Sequence, residues 1–319
     1  MKETISKILE KYVDTFGFVK IDEYLENRTS YGKVDSFIRI TDFEKYKTII
    51  VLGLCYPSKT VEYKGNGYGL LSRYSYNTDY HIVFKNIFKQ IEKEFDKLNI
   101  KTHFSVDVSD IYEKQAAVLA NLGYIGKNQL LINKKYGSYL NLATILIDID
   151  IEISRNLQIV DDCGECRLCI DACPSNALDN GFNRELCISN ISQEKNVLNE
   201  KEISYFEKVI YGCDICQQVC PKNTGIDFHK HIEYEPSGIE NVDLIKLLNI
   251  SNKEFNEKYG MNACSWTGPL VLKRNAVCAI GNQKILKAIP DIKKSINKYK
   301  DVLWYNETAT KVLKMLESE

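Results

Sequence analysis

The stretch Cys163-Gly-Glu-Cys166-Arg-Leu-Cys169-Ile-Asp-Ala-Cys173-Pro174 decides how the rest of this chain is interpreted. Its spacing, C-x2-C-x2-C-x3-C-P, is typical of bacterial modules that bind [4Fe–4S] clusters through cysteine thiolates. In such modules the first three cysteines bind one cluster, and the fourth, which precedes the proline, reaches a second cluster. A structural zinc site is the alternative, but it would show paired C-x2-C motifs without the x3-C-P end.

A second cysteine group follows, and it is one cysteine short of the same motif. In Cys213-Asp-Ile-Cys216-Gln-Gln-Val-Cys220-Pro221, Ile210 occupies the position of the first cysteine. Cys187 lies between the two groups and is the expected replacement. The crossed arrangement then predicts a first cluster on Cys163, Cys166, Cys169 and Cys220 and a second on Cys173, Cys187, Cys213 and Cys216. A single cluster with several free thiols is the alternative.

The cysteine count is unusual, whereas the rest of the composition is ordinary. The chain has 319 residues, 11 cysteines, 44% hydrophobic residues and a formal net charge of -1. No stretch reaches the roughly 18 consecutive apolar residues of a membrane span, and the N-terminus lacks the apolar core of a secretory signal. We therefore expect a cytoplasmic protein that binds metal, with no membrane partner. Cys55, Cys264 and Cys278 are expected to be small core residues.

The hydrophobic pattern predicts an α+β protein with three consecutive regions. Residues 1–155 have the pattern of an α/β domain, residues 156–225 form a ferredoxin-like cluster module, and residues 226–319 are predicted to be all-α. The predicted strands cover residues 48–56, 102–108 and 140–151, and the predicted helices cover 79–98, 109–122, 244–259, 270–286 and 301–316. The Gly- and Tyr-rich stretch 57–75 is predicted to be a mobile, functional loop.

The near-zero net charge conceals a positive C-terminal region. Residues 271–300 hold eight basic residues and one acid, Asp291. The basic residues are Lys273, Arg274, Lys284, Lys287, Lys293, Lys294, Lys298 and Lys300. Such a run is usually a solvated helix face, but a contact with a nucleic-acid backbone also requires one. Charge alone leaves both interpretations open.

Four blocks of sequence carry further information. They are Arg73-Tyr-Ser-Tyr-Asn-Thr-Asp79-Tyr80-His81; Asp107 with Glu113-Lys114, residues 122–128 (LGYIGKN) and Gly137-Ser138; the cysteine module with Tyr211-Gly212-Cys213-Asp214; and residues 266–276 (WTGPLVLKRNA) with Gly281-Asn282. Together they resemble the epoxyqueuosine reductases, cobalamin- and iron–sulfur-dependent enzymes of queuosine biosynthesis in tRNA. The cysteine pattern alone is shared with reductive dehalogenases, and the other blocks narrow the family.

The resemblance implies a base-off cobalamin held by the N-terminal domain and reduced through the two clusters, with an unidentified electron donor. It implies a monomeric oxidoreductase that reduces the epoxide of epoxyqueuosine to an alkene in the anticodon loop of tRNA. The C-terminal region would be a HEAT-like tRNA-binding element, with Lys273 and Arg274 as contacts. The sequence has no D-x-H-x-x-G motif for a lower-ligand histidine, because Asp227-Phe-His229 is followed by Ile232 where glycine would stand.

The resemblance also assigns roles to single residues of the N-terminal region. The family's catalytic aspartate falls on Asp107, which would be the general acid that protonates the epoxide oxygen. The alternative is a strand-end or helix-capping aspartate, although Ser109 and Asp110 are better placed to cap. An acid that works near neutral pH needs a raised pKa, which burial against a corrin would provide. The expected cofactor-binding residues are Tyr80, His81, Lys127, Asn128 and Ser138, for which core packing or a polar turn is the alternative.

Two other classes of function remain as alternatives. The first is a related cobalamin and iron–sulfur reductase that acts on a small molecule, as reductive dehalogenases do. Such an enzyme would not need the basic C-terminal stretch. The second is an electron-transfer ferredoxin with appended domains, and a bare electron relay would not need the α/β domain predicted for residues 1–155.

Overall fold

The computed structural model describes residues 1–27, 43–56, 60–76, 78–107, 111–153, 162–226 and 230–318, and within them the protein is a mixed α+β structure, as predicted. The strands are β1 (Thr15–Lys20), β2 (Thr48–Cys55), β3 (Tyr68–Leu71), β4 (Thr102–Ser105), β5 (Tyr124–Ile125), β6 (Leu131–Ile132), β7 (Leu140–Ile147), β8 (Val209–Tyr211) and β9 (Asn241–Asp243). The helices are α1 (Lys2–Leu9), α2 (Ile21–Glu26), α3 (Tyr80–Asp96), α4 (Glu113–Leu119), α5 (Leu168–Asp171), α6 (Ile188–Ile191), α7 (Glu200–Ser204), α8 (Ile215–Gln218), α9 (Leu244–Asn249), α10 (Asn252–Tyr259), α11 (Pro269–Asn282), α12 (Ile289–Lys298) and α13 (Leu303–Glu317).

The first of two compact units is built on a four-stranded sheet. It comprises Met1–Tyr56, Tyr80–Arg167 and Cys220–Ile232, and its strand order is β1-β2-β7-β4. Every residue of β2 is buried, because the strand is a continuous apolar run covered on both faces. On one face, α4 packs against β1, β2 and β7 and contributes Ala116 and Ala117 to the core.

The elements of this unit follow the predicted ones with shorter ends. β2, β4 and β7 lie within the three predicted strands, and α3 and α4 lie within the two predicted helices. The α/β assignment is wrong for the sheet itself, because all of its strand pairs are antiparallel. A continuous apolar run shows only that both faces of a strand are covered, and this can happen in an antiparallel sheet when helices pack on both sides.

The second compact unit contains a smaller sheet in which β3 is the central strand. The unit comprises Pro57–Asp79, Leu168–Val219 and Glu233–Glu319, and its strand order is β8-β3-β9. The prediction of a mobile loop is therefore wrong at β3, and residues 57–59 lie outside the described residues. Leu71 is fully buried, and a Cβ on Gly69 would meet Ile210 Cγ2 at 2.6 Å. Glycine at this position allows neighbouring groups to approach closely and is not a sign of mobility.

Helix α11 lies in the core of the second unit. It packs against α7, α9, α13 and β8, and all its residues from 271 to 281 are buried. The prediction of an all-α region at 226–319 is wrong at β9, which pairs with β3. Within the described part of the chain, no helix combines the length and apolar character that crossing a bilayer requires. The division into residues 1–155, 156–225 and 226–319 stays a prediction.

The predicted helix at 244–259 is interrupted, because Ile250 has an extended backbone and Ser251 starts a new helix. The Ser251 hydroxyl accepts a hydrogen bond from the backbone N–H of Glu254 at 3.2 Å. In return, Glu254 Oε2 accepts one from the backbone N–H of Ser251 at 2.8 Å. This reciprocal capping box satisfies two N–H groups that the helix itself cannot satisfy, so α10 begins at a defined residue.

Removal of this cap should lower stability modestly. We expect Ser251→Ala to cost about 1 kcal/mol, because the Glu254 N–H loses its acceptor. This cost corresponds to a fall of about 2 °C in the melting temperature. Ser204→Ala is a matched control, because Ser204 is also exposed but its hydroxyl only donates to the Lys201 carbonyl. Equal melting temperatures for S251A and S204A, measured by circular dichroism, would contradict the role of the cap.

Candidate active site and cluster ligands

Asp107 lies just beyond the end of β4 in a strained backbone conformation. Its φ is 58°, in the left-handed region that few residues other than glycine adopt. Its backbone N–H donates a hydrogen bond to Glu113 Oε1 at 2.9 Å. Asp107 is not the N-cap of α4, because that helix begins at Glu113 and its N-cap is Tyr112. The alternative capping residues Ser109 and Asp110 lie outside the described residues.

The start of α3 brings two further predicted site residues to Asp107. The Tyr80 hydroxyl donates a hydrogen bond to Asp107 Oδ2, and His81 Nε2 lies 3.3 Å from the same oxygen. The Tyr80 and His81 rings lie beside each other, with centroids 4.3 Å apart. The side chains of His81 and Asp107 are each 47% exposed, so the carboxylate is open to solvent and is not buried as expected. The first unit therefore holds an accessible carboxyl group with two hydrogen-bonding neighbours.

Glu113 also belongs to this site, although the sequence predicts no role for it. Removal from water raises the pKa of its carboxyl well above the usual range, and the charge of Asp107 raises the pKa further. His81 and Lys114 act in the opposite direction. Two adjacent carboxyl groups cannot both ionise easily, so the pair retains a proton to a higher pH than an isolated glutamate would. Glu113 lies in the same sequence block as Asp107, but the block does not show that its carboxyl group reaches the Asp107 backbone.

Lys127 and Asn128 lie in the turn between β5 and β6, and they differ in what they contact. Lys127 Nζ donates hydrogen bonds to the carbonyls of Gly164 at 2.5 Å and Cys166 at 3.0 Å. Lys127 therefore holds the loop that carries the first cysteines. Asn128 Oδ1 accepts from the Leu130 N–H at 3.2 Å, whereas its Nδ2 is buried and has no hydrogen-bond partner within the described residues. A buried amide donor of this kind fits a carbonyl acceptor on a bound cofactor.

Ser138 is buried against the end of the cysteine motif. Its backbone N–H donates to Asn223 Oδ1 at 2.8 Å, and its hydroxyl accepts from Asn223 Nδ2 at 2.9 Å. Gly137 has a φ of 55°, and a Cβ there would collide with the same Asn223 oxygen. The Gly137-Ser138 pair thus fixes the turn that follows Cys220.

Three of the predicted cluster ligands belong to the first unit. Cys163, Cys166 and Cys220 are half-buried and form no disulfide with any described residue. Burial raises the pKa of the Cys220 thiol, and the nearby Cys163 and Cys166 thiols raise it further. A thiol with a raised pKa, such as that of Cys220, suits a metal centre whose positive charge displaces its proton.

The other five predicted ligands belong to the second unit. Burial, with smaller contributions from Asp214, Cys187 and Cys173, raises the pKa of Cys213 to about 12. Burial also raises the pKa of Cys216, with contributions from Cys213, Cys187 and Cys169. The displaced Cys187 therefore lies beside the group that it was predicted to complete. The remaining cysteines, Cys55, Cys264 and Cys278, are buried in the core as expected.

No three His, Cys, Asp or Glu side chains among the described residues surround a point where a single metal ion would bind. A zinc site needs four ligands around one ion, whereas the thiolates of a [4Fe–4S] cluster bind separate iron atoms. The assignment of iron–sulfur clusters therefore depends on the cysteine spacing and on the comparisons below.

The prediction that Lys273 and Arg274 contact tRNA is wrong. Both side chains are fully buried in α11. Lys273 Nζ donates to the carbonyls of Leu248 at 3.1 Å and Ile250 at 2.7 Å. Burial lowers the pKa of Arg274 to about 10, so the guanidinium is still charged at neutral pH and must be satisfied inside the protein. Charge in a sequence does not reveal which face of a helix a residue occupies, and α11 has no exposed face at these positions.

Two family models match the chain. The model described as "4Fe-4S double cluster binding domain" matches residues 162–223, the stretch that contains all eight predicted ligands. The model described as "Epoxyqueuosine reductase QueG, DUF1730" matches residues 41–108. This match ends at residue 108, so it includes Tyr80, His81 and Asp107. The iron–sulfur centre predicted from the cysteine spacing is confirmed.

Relatives match over nearly the whole chain. The epoxyqueuosine reductase of Lactococcus garvieae is 35% identical over 92% of this chain and 90% of its own. A structure of the Bacillus subtilis epoxyqueuosine reductase, in which a catalytic aspartate loop is swung out of the active site, has a TM-score of 0.85 and 31% identity, over 99% of this chain and 90% of its own. An epoxyqueuosine reductase structure with an epoxyqueuosine-modified tyrosine tRNA stem loop has a TM-score of 0.83 and 28% identity, over 99% and 98%. This chain belongs to the epoxyqueuosine reductase family.

Proposed function

We propose that this oxidoreductase reduces epoxyqueuosine to queuosine in the anticodon loop of tRNA, with Asp107 as the general acid. The observation that carries the proposal is the Tyr80–His81–Asp107 arrangement at the accessible end of β4. A similar solved enzyme was crystallised with an epoxyqueuosine-modified tRNA stem loop, which supports the same substrate here. The reaction takes two electrons and two protons, breaks the epoxide C–O bonds, and releases water as the alkene forms.

Asp107 would deliver a proton to the epoxide oxygen as the C–O bond breaks. A positioned acid of this kind typically contributes 10²- to 10⁴-fold in rate. Tyr80 and His81 hold one carboxylate oxygen, and Glu113 fixes the backbone of the same residue. Because burial and the nearby Asp107 charge raise the pKa of Glu113, the pair of carboxyl groups retains a proton to a higher pH than an isolated glutamate would.

Cobalamin, held base-off in the first unit, would supply the low-valent metal that gives the electrons to the substrate. Asn128 fits this role because its buried Nδ2 has no hydrogen-bond partner in the described part of the chain and suits a carboxamide oxygen of the cofactor. Lys127 and Ser138 would lie at the border between the cofactor and the cluster module, since both hold peptide segments that carry cysteines. Tyr80 and His81 complete the proposed set of contacts.

The two clusters would pass single electrons from an external donor to the cobalamin. We assign the first to Cys163, Cys166, Cys169 and Cys220 and the second to Cys173, Cys187, Cys213 and Cys216, in line with the crossed arrangement. We further propose a cytoplasmic monomer in which residues 1–155 bind cofactor and substrate, 156–225 bind the clusters, and 226–319 form a HEAT-like element that binds tRNA.

The tRNA contact would use exposed lysines of the C-terminal region in place of Lys273 and Arg274. Lys284, Lys287, Lys293, Lys294, Lys298 and Lys300 are all exposed. Three of them lie on α12, where Lys293 pairs with Glu317 at 2.6 Å and so has part of its charge neutralised. Exposed lysines bind the phosphate backbone without reading sequence, and the modified base itself must leave its stack to be reduced.

Loss of the proposed acid should abolish most of the activity without disturbing the metal centre. We expect Asp107→Asn to lower turnover on tRNA that contains epoxyqueuosine by at least about 100-fold, because the amide cannot deliver the proton. Iron content and circular dichroism should stay unchanged. Asp22→Asn, at an exposed aspartate on α2, is the matched control and should stay fully active. Full activity of D107N would contradict the assignment of the acid.

The pH dependence should reveal the partnership of Glu113 and Asp107. The raised pKa of Glu113 means that the pair loses its last proton only at elevated pH, so activity should fall there. Glu113→Gln removes one of the two proton-binding groups, and the alkaline limb of kcat/KM should move to lower pH. The profile should be measured on protein with unchanged iron content. An alkaline limb that is identical in E113Q and the parent enzyme would show that the two carboxyl groups titrate independently.

The proposed tRNA contact predicts a specific salt dependence. A double variant, Lys294→Gln with Lys298→Gln, should weaken tRNA binding and lower the slope of log K against log salt by about one per lysine. Lys246→Gln with Lys253→Gln removes the same charge from exposed positions on α9 and α10 and serves as the control. Equal slopes for the two double variants, measured by filter binding, would remove α12 from the proposed contact. They would leave the reductase assignment untouched.

A further inference from the structure

The displaced cysteine poses a problem of geometry for the second cluster. Because Ile210 replaces the usual first cysteine, the ligand Cys187 is separated from Cys213 by the residues 188–212. Closing a loop of this length costs conformational entropy that a compact C-x2-C motif does not incur. Contacts that hold the two arms of the loop together lower this cost.

Asn275 on α11 joins the two arms with a single amide group. Its Nδ2 donates to the carbonyl of Ser192 at 2.8 Å, in the arm that follows Cys187. It also donates to the carbonyl of Ile210 at 2.8 Å, in the arm that precedes Cys213. Both bonds are buried, and Ile210 is the residue that stands where the missing cysteine would be. The contact thus lies at the position where the motif departs from the usual spacing.

Arg274 orients Asn275 and holds the rest of the first arm. Its Nε and Nη2 both donate to Asn275 Oδ1, at 3.1 and 2.9 Å, so the amide must present its Nδ2 to the two arms. The other donors reach the carbonyls of Ile191 at 2.9 Å, Glu194 at 2.6 Å and Asn196 at 3.0 Å. A buried guanidinium is costly to desolvate, and here backbone carbonyls satisfy it in place of a carboxylate.

The arms are also joined directly, next to a cluster ligand. The backbone N–H of Gly212 donates to Ser192 Oγ at 2.9 Å. Gly212 has a φ of 69°, and a Cβ there would meet the Tyr74 ring at 2.7 Å. Ser192 therefore receives the Asn275 amide on its carbonyl and the Gly212 N–H on its hydroxyl, one residue before Cys213.

We infer that Arg274 and Asn275 are positioning residues for the second [4Fe–4S] cluster, because they set the separation of Cys187 from Cys213. This inference rests on the proposed assignment of those two cysteines to the second cluster. It gives the stretch Arg274-Asn275-Ala276 a function that does not involve contact with nucleic acid. The first cluster has three of its four proposed ligands in the first unit and should be independent of the pair.

The same helix provides a matched control. Asn282 lies two turns further along α11 and makes the same kind of bond, since its Nδ2 donates to the carbonyls of Ile203 at 2.7 Å and Phe206 at 3.0 Å. Those carbonyls belong to the 188–212 segment but lie at least seven residues along the chain from either cysteine, further than Ser192 lies from Cys187 or Ile210 from Cys213. An identical substitution at Asn275 and Asn282 therefore separates positioning of the ligands from general stability of the segment.

The experiment compares Asn275→Asp and Asn282→Asp in anaerobically reconstituted full-length protein. Aspartate keeps the shape of asparagine but replaces the two N–H donors by an oxygen that repels the carbonyls. We expect N275D to fall from about eight irons per chain to about four, with a simpler EPR spectrum after reduction, while N282D keeps about eight. Thermal unfolding should show both variants folded. If N275D does not fold, Asn275→Ala removes the donors without adding charge, and the same loss is expected.

Two results would overturn the inference. One is an N275D or N275A protein with a full iron content and the EPR spectrum of the parent enzyme. The other is an equal loss of iron in N282D. The variant Cys187→Ser tests the ligand assignment separately from the positioning role of Asn275. If C187S keeps about eight irons, Cys187 is not a ligand, whereas if C187S loses about four and N275D loses none, only the positioning role of Asn275 is refuted.

Discussion

The hydrogen bonds that α11 donates to the backbone of residues 191–210 are the interaction on which the rest of the second unit depends. Five carbonyls of this segment accept from Arg274 and Asn275, and all of these donors come from two adjacent residues. A segment with little regular structure has many backbone groups that no helix or strand satisfies. Burying it is possible only if another element brings donors to it, and α11 does so from the centre of the core. The cysteines at the two ends of the segment then acquire fixed positions.

A similar constraint governs the first unit, where peptide segments that bear cysteines are tied to the turns after β5 and β6. Lys127 binds the carbonyls around Cys166, and Ser138 binds Asn223 close to Cys220. Both residues come from blocks that resemble the family. Lys127 contacts backbone carbonyls, whereas Ser138 contacts the side-chain amide of Asn223. Asp107 lies in the same unit, at the end of a strand whose neighbours are fully buried. The sheet thus supports the proposed acid, while its side chain remains accessible.

How much the sequence could predict depended on the range of the interaction. The iron–sulfur module was predictable because cluster binding needs a fixed local spacing, and counting the expected ligands led to the prediction of Cys187 as the eighth. The strands β2 and β7 were predictable because their apolar runs are long. The strand β3 was missed, because its glycines suggest a turn while Gly69 in fact allows Ile210 to approach. Glu113 received no role, since nothing local shows that its carboxyl reaches back to the Asp107 backbone.

Lys273 and Arg274 show most clearly why a charge pattern cannot assign a surface. The six other basic residues of the stretch 271–300 are exposed, as the charge run predicts. Lys273 and Arg274, which lie in the block 266–276, are buried instead. A buried arginine is stable only when nearly every donor has an acceptor, and this demands a particular backbone around it. The residues 191–196 supply that backbone only because they return from Cys187 toward Cys213. On the proposed ligand assignment, the same hydrogen bonds that satisfy the buried guanidinium also bring the distant Cys187 toward the second cluster.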